Sequence, residues 1–272
     1  MSESQARRRG VRPVIVCAIA GIALLAAAAL ARAGRAAPHR PASPAEVASS
    51  LAQGVAWIWP NSNGPRPPYR EAAVLVESLT LRAWGVERGG RTQPMALPTG
   101  VRLVPVVHVE SAEDAPDDFT PAQQAAVLAA VRRHAGIAAA GAGLLQLDFE
   151  APPRQRDAYH ALVAAAREAL PAGVRLSVTV LAHWCTQGDW LDRLSVDEVV
   201  PMLYHLGPHA DDWRRRFEQA DAGLARRCRG SALGFATHDP PSPALLARAT
   251  RPYWFDDAAW ANPSRPPRHL VP

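Results

Sequence analysis

Residues 144–181 read LLQLDFEAPPRQRDAYHALVAAAREALPAGVRLSVTVL, and the rest of the chain is best understood outward from them. Leu144–Phe149 is a short apolar run, and Arg175–Leu181 is another. Between them, Pro153–Leu170 opens on a proline and ends before Gly173, the punctuation of a helix. Its apolar positions Tyr159, Leu162, Val163, Ala166 and Leu170 follow i, i+3, i+4 spacing, so one face packs on a sheet. Strand, helix, strand with a crossover of this length implies a parallel pair.

The pattern recurs on both sides. Further strands are expected at Gly54–Trp59, Ala73–Leu81, Arg102–Val109, Glu198–Tyr204, Ser231–Ala236 and Pro252–Phe255. Helices are expected at Pro121–His134, Thr186–Leu194, His209–Arg226 and Pro243–Ala249. Eight strands within one large domain favour an α/β fold of the closed (β/α)8 TIM type over an open sheet. The first βα unit should be irregular, because Pro60–Arg70 is rich in Pro and Gly and too short for a regular helix.

Charge is unevenly distributed. The chain has 272 residues and a formal charge of +5. Residues 1–40 hold seven Arg (7, 8, 9, 12, 32, 35 and 40) against Glu3, a net of +6, which leaves −1 for the remainder. The basic character is an N-terminal property, so no nucleic-acid partner is expected for the folded body. No Lys occurs, which excludes Schiff-base, lysine-bound pyridoxal and P-loop chemistry. No cofactor is expected.

Four of those Arg precede an apolar run from Val14 to Leu30, followed by Ala31-Arg32-Ala33. That order predicts a signal peptide or a retained membrane anchor over 1–33, with the body exported to the periplasm or cell exterior in either case. Membrane contact is expected only through this segment. A Pro/Ala-rich linker is expected over 34–50, the barrel over 51–260 and a Pro-rich tail over 261–272. Cys185 and Cys228 are the cysteines of the body, and either one disulfide or two buried thiols fits them.

In a parallel barrel the reactive groups sit where strands end. Those ends offer Glu77, His108, Glu110, Asp148, Glu150, His183, Trp184, Tyr204, His205, His238 and Asp239. Asp239, before Pro240 and Pro241, reads as a turn residue. Side chains alternate along a strand, so Gln146, Asp148 and Glu150 share the inward face opposite Leu145, Leu147 and Phe149. Two residues of strand put Asp148 and Glu150 roughly 6–7 Å apart at Cα. Repulsion and partial burial would raise one carboxyl pKa, the condition for a general acid at neutral pH. An acid pair bridging to Arg154 or Arg156 is the structural alternative. Glu110, one strand over, is a candidate second carboxylate. Trp57, Trp59, Trp184 and Trp254 fall near strand ends, and such faces stack on sugar rings; Trp213 reads as helix packing.

Asp148-Phe149-Glu150 resembles the end of the D-x-x-D-x-D-x-E strand of family-18 glycoside hydrolases (chitinases), and Met202-Leu203-Tyr204 resembles their M-x-Y-D strand. The resemblance implies that Glu150 protonates the leaving oxygen, that Asp148 is its partner, and that Tyr204 lies near the reacting sugar with Trp254 as an aromatic floor. Gly143 and Gln146 stand where that motif has its earlier Asp residues, and His205 where the second has Asp. Val55-Ala56-Trp57, the Gln146-x-Asp148-Phe149-Glu150 strand, the segment 176–184 and the run 196–202 are also similar to a bacterial family catalogued as domain of unknown function 3142, over about residues 54–256. That resemblance implies a hydrolase-like barrel.

Together these readings predict an exported glycoside-hydrolase-like protein acting on an envelope polysaccharide or oligosaccharide. The catalytic candidates are Glu150, Asp148, Tyr204 and Glu110. The substrate-binding candidates are Gln146, His183, Trp184, His205, Trp57 and Trp254. Three other classes stay open: a non-catalytic carbohydrate-binding barrel, a metal-dependent hydrolase using His108, Glu110, Asp148, Glu150, His183, His205 or His238, and a membrane-anchored assembly factor.

Overall fold

The computed structural model describes residues 40–60, 67–91, 97–230 and 232–256. Apolar run 14–30, the expected signal or anchor over 1–33 and the expected tail over 261–272 lie outside the described residues. Among the described residues, no helix is long and apolar enough to cross a membrane.

Eight parallel strands close on themselves. They are β1 (Val55–Ile58), β2 (Glu71–Arg82), β4 (Arg102–Ser111), β5 (Leu144–Phe149), β6 (Arg175–Leu181), β7 (Glu198–Met202), β8 (Ala232–Ala236) and β9 (Arg251–Phe255). A ninth strand, β3 (Gly85–Gly90), pairs antiparallel with β2 outside the ring. β1 is the closing strand: Ala56 is in register with Ala72 on one side and with Trp254 on the other. The (β/α)8 expectation is met as a TIM-type barrel, and its early units are irregular as expected. No described helix follows β1, and β2 returns through β3 instead of a helix.

The helices follow from their capping signals. The last seven residues expected to be linker are helical: α1 spans Pro44–Gln53, with Ser43 and Glu46 forming a reciprocal capping box. Leu51 is buried and Ser50 Oγ accepts from Trp254 Nε1 at 3.2 Å, so α1 belongs to the folded body. α2 (Pro121–Ala140) begins with the same device, Thr120 with Gln123, and runs six residues beyond the expected end. After the 3₁₀ turn Pro153–Gln155, α3 (Arg156–Ala169) buries Tyr159, Leu162, Val163 and Ala166, the face its periodicity requires. α4 spans Ala210–Glu218 and α5 spans Pro243–Arg248. The helix expected over Thr186–Leu194 is absent. Two 3₁₀ turns, Ala182–Thr186 and Trp190–Arg193, stand there, separated by Gly188 in the left-handed region at φ +85°. Cys185 and Cys228 form a disulfide with Cα atoms 5.8 Å apart, joining the turn after β6 to the turn before β8.

Alternation divides each strand between two cores. Outward residues such as Leu145, Leu147, Phe149, Val178, Val180 and Trp254 pack under the helices. Inward residues such as Val55, Trp57, Val106, Leu144, Val200 and Tyr253 fill the barrel. The interior also carries a polar ladder. Trp57 Nε1 donates to Gln146 Oε1 at 2.6 Å, and Gln146 Nε2 donates to Ser177 Oγ at 3.2 Å. Ser177 and Tyr253 hydroxyls donate to Glu198 Oε1 at 2.8 and 2.6 Å. At the N-terminal end Arg251 bridges Glu198 at 2.9 Å and Glu71 at 2.5 Å, and Glu71 also meets Arg102.

Breaking a buried pair by removing one partner leaves an uncompensated charge. Arg251→Leu, which takes a cation from Glu198 and leaves Glu71 to Arg102, should therefore lower stability by about 3–5 kcal/mol, read as a drop in the urea midpoint. Arg102, 60% exposed, is the control, and Arg102→Gln should cost less than about 1 kcal/mol.

Candidate active site

The inward face of β4 carries His108 and Glu110, and that of β5 carries Asp148 with Glu150 just past its end. The parallel register pairs His108 with Asp148 and Val109 with Phe149. In-register neighbours share a face, so the two polar residues meet across the strands: His108 Nδ1 lies 2.8 Å from Asp148 Oδ2. On the other side Thr179 Oγ1, from β6, donates to Asp148 Oδ1. Both Asp148 oxygens are thereby engaged in a buried setting.

The charges of this cluster are set against one another. Burial pushes the Asp148 carboxyl up, but the hydrogen bond and charge of His108 and the Thr179 hydroxyl outweigh it and hold the group below its usual range. Burial pushes His108 down, but its bond to Asp148 and the negative charges of Asp148, Glu110 and Glu150 raise it above its usual range. Glu150 lacks such compensation. Burial first and the Asp148 charge second, with a contribution from Glu110, raise it to about 7 against the pull of His108. Glu150 presents part of its side chain to solvent at the mouth. Its carboxyl nonetheless lies among the strand ends, where protein displaces much of its hydration.

Tyr204 and Trp59 complete the mouth. Tyr204 stacks on Phe255 at 5.8 Å and its hydroxyl lies 3.2 Å from Met202 Sδ. Trp59 meets Phe255 edge-on at 5.8 Å and His108 at 6.5 Å. Next to Tyr204, His205 adopts φ +53°, a strained conformation for a residue with a Cβ, and its exposed ring lies 5.7 Å from that of His238. His183 is exposed in the turn after β6; partial burial and the Arg156 charge hold its ring below the usual range.

Several expected contacts are not made. Trp254 faces outward, buried against Phe235 and α1, because Tyr253 and Phe255 take the inward positions of β9. Trp184 is buried in the outer layer against Tyr159 and Trp190, beyond the end of β6 where strand alternation no longer applies. Neither can serve as a stacking surface in this arrangement. Trp57 and Gln146 do face inward, but both are fully buried beneath the mouth and bonded to each other, so they support the site from below. Glu77 points outward to Arg133 and His134, beyond a bulge between Leu75 and Glu77. Asp239 is a turn residue held by Arg214 at 2.6 Å, as read. Trp213 sits on α4 with Arg216 over its ring. Arg154 pairs with Asp117 and Arg156 donates to Gln187 Oε1, so the contacts described for them go elsewhere than Asp148 and Glu150. Among the described residues, no three His, Cys, Asp or Glu side chains are grouped to hold a metal ion.

One contributor, Thr179, escapes the sequence, and the role of another, His108, is not legible there. Thr179 gave no signal beyond its inward parity on β6. His108 was visible as a strand-end histidine, but its role follows from a register that only the assembled sheet supplies.

The charge balance has a measurable consequence. A carboxyl whose folded pKa exceeds its unfolded value near 4.5 destabilises the fold as pH rises from that value through about 7, because the folded state then holds a proton it must lose. Glu150→Gln should therefore equal the parent in stability below pH 4.5 and exceed it above pH 7. A carboxyl-selective NMR titration should place the Glu150 midpoint near 7, falling in Glu110→Gln but staying above 4.5, since burial remains.

No family model matches the chain, and no curated protein matches it. The resemblances noted above therefore rest on their motifs. Among solved structures, the crystal structure of the Bacillus cereus spore cortex-lytic enzyme SleL is similar, with 16% sequence identity and a TM-score of 0.42. The alignment covers 72% of this chain and 57% of that one, so the chain spans little more than half of that structure's length.

Proposed function

We propose that this protein is an exported glycoside hydrolase acting on an envelope polysaccharide, with Glu150 as general acid and base. The observation that carries the reading is the contrast between two carboxyls on one strand. Asp148 is fixed as an anion by His108 and Thr179, while Glu150 is raised to about 7 and keeps access to the mouth. Two carboxyls driven apart in this way are the arrangement from which acid and base roles are assigned.

Glu110 is the second carboxylate of the proposal. One step beyond the Val109–Phe149 pair, it neighbours Glu150 across the adjacent strand ends, and its charge helps to raise the Glu150 carboxyl. A retaining mechanism requires the two carboxyls to stand about 5–5.5 Å apart. In this scheme the Glu150 proton passes to the glycosidic oxygen as the bond from that oxygen to the anomeric carbon breaks and a Glu110 oxygen bonds to the carbon. Water then attacks the same carbon, Glu150 takes its proton, and the ester to Glu110 breaks. Asp148 acts electrostatically on Glu150. Tyr204 and Trp59 offer aromatic faces for a sugar, with His183 and His205 as polar groups at the rim.

Export draws its support from the basic, apolar and small-residue order of the N-terminus and from the Cys185–Cys228 disulfide, which suits an oxidising compartment. The similarity to family-18 glycoside hydrolases supports Glu150 as the acid, whereas the engaged Asp148 and the neighbouring Glu110 favour a two-carboxylate mechanism.

The test is hydrolysis of a panel comprising peptidoglycan glycan strands, glycol chitin, alginate and dextran. The parent should release product with retained anomeric configuration by NMR. Glu150→Gln should lose about 10³-fold in kcat, within the 10²–10⁴ that general acid–base catalysis supplies. A parent that binds a glycan and releases nothing would assign a carbohydrate-binding barrel instead.

A further inference from the structure

The β3 arm of the β2–β3 hairpin stands outside the ring of eight strands, and its β2 arm runs beside the candidate site. Its register locates it. Ser78 pairs with His108 and Thr80 with Glu110 on one side, and Ser78 pairs with Gly89 and Thr80 with Glu87 on the other. In-register residues share a face, so Ser78 and Thr80 continue the rows of His108–Asp148 and of Glu110. Leu79 and Leu81 take the opposite face and are buried in the outer core. The hairpin is therefore a wall of the mouth, with small hydroxyl-bearing side chains toward the cleft.

At its tip stands Trp84. Arg82 pairs with Gly85, so the turn consists of Ala83 and Trp84 alone. An indole there is 69% exposed, while Trp57, Trp184, Trp190 and Trp254 are buried. The only other exposed large hydrophobic among the described residues is Ile137, at 39%. Burial gives this indole no role in the core, and its faces are open to a ligand. Two strand steps carry β2 from Thr80 to Arg82, roughly 7 Å beyond the Glu110 row, and Trp84 stands on the turn past that point.

We propose that the β2–β3 hairpin forms an outer glycan subsite in which Trp84 stacks on a ring of a chain whose scissile linkage lies at the Glu150 end of the cleft. An aromatic face held in solvent matches the C–H face of a pyranose, and the Ser78 and Thr80 hydroxyls match its polar edge. The ligand this geometry selects is a polysaccharide several rings long. The inference rests on the polysaccharide reading above and adds a length preference to it.

Affinity electrophoresis of the full chain in mild detergent, through native gels containing each polymer of the panel, tests it. The parent should be retarded by at least one polymer. Trp84→Ala and Trp84→Ser should bind that polymer roughly five- to tenfold more weakly, and Trp84→Phe should keep most of the affinity. A monosaccharide of the same polymer, followed by calorimetry, should bind parent and Trp84→Ala alike. Equal retardation of parent and Trp84→Ala would overturn the subsite while leaving the Glu150 site standing, as would parallel loss of monosaccharide binding. A parent retarded by no polymer would overturn the polysaccharide reading itself, and the subsite with it.

Discussion

The structure turns on the Trp57 indole lying across the barrel interior. β1 has only four residues, yet it must pair on both sides to close the sheet, and Trp57 is its inward anchor. The ring is so close to β8 that a Cβ on Gly234 would stand 2.6 Å from Trp57 Cη2, so that position has no room for any side chain. The indole N–H has no water to reach and donates to Gln146 instead. Gln146 is thereby fixed, and it lies two residues below Asp148 on the same face. Filling, closure and the height of the acid pair are one constraint.

Below that level the interior is polar by design of its strand starts. Glu71, Arg102, Glu198 and Arg251 begin β2, β4, β7 and β9, and their charges cancel in a chain of ion pairs. Above it, His108 and Asp148 cancel each other in the same way. At Glu150, burial and then the Asp148 charge outweigh the pull of His108, which is why its proton is held to about 7. The barrel neutralises its inward charges layer by layer and leaves the imbalance at the mouth.

How much of this the sequence discloses depends on whether a feature is local. Leu144–Phe149 and the helix after it are set by alternation and by proline and glycine punctuation, and they fall as read. β3 was not anticipated because Gly-Val-Glu-Arg-Gly-Gly has no apolar alternation; its pairing with β2 makes it a strand. The segment 186–194 reads as helical through Trp190, Leu191 and Leu194, but Gly188 and the disulfide at Cys185 hold it in separate turns. Trp254 was placed by resemblance against its own parity, since the residues on either side of it must face inward for the barrel to fill. The His108–Asp148 contact is a matter of register between strands forty residues apart, and no single strand encodes it.

Closure through β1 also governs the order in which the molecule can form. Ser50 on α1 meets Trp254 across 204 residues, and β1 pairs with β9, the last strand among the described residues. A chain delivered from its N-terminus thus presents α1 and β1 long before their partners exist, and every intermediate has an open strand edge. Such an edge invites pairing with other chains. Assembly is therefore a race between arrival of the final strand and association of unfinished barrels, and a truncation that removes β9 should yield aggregates instead of a smaller folded domain.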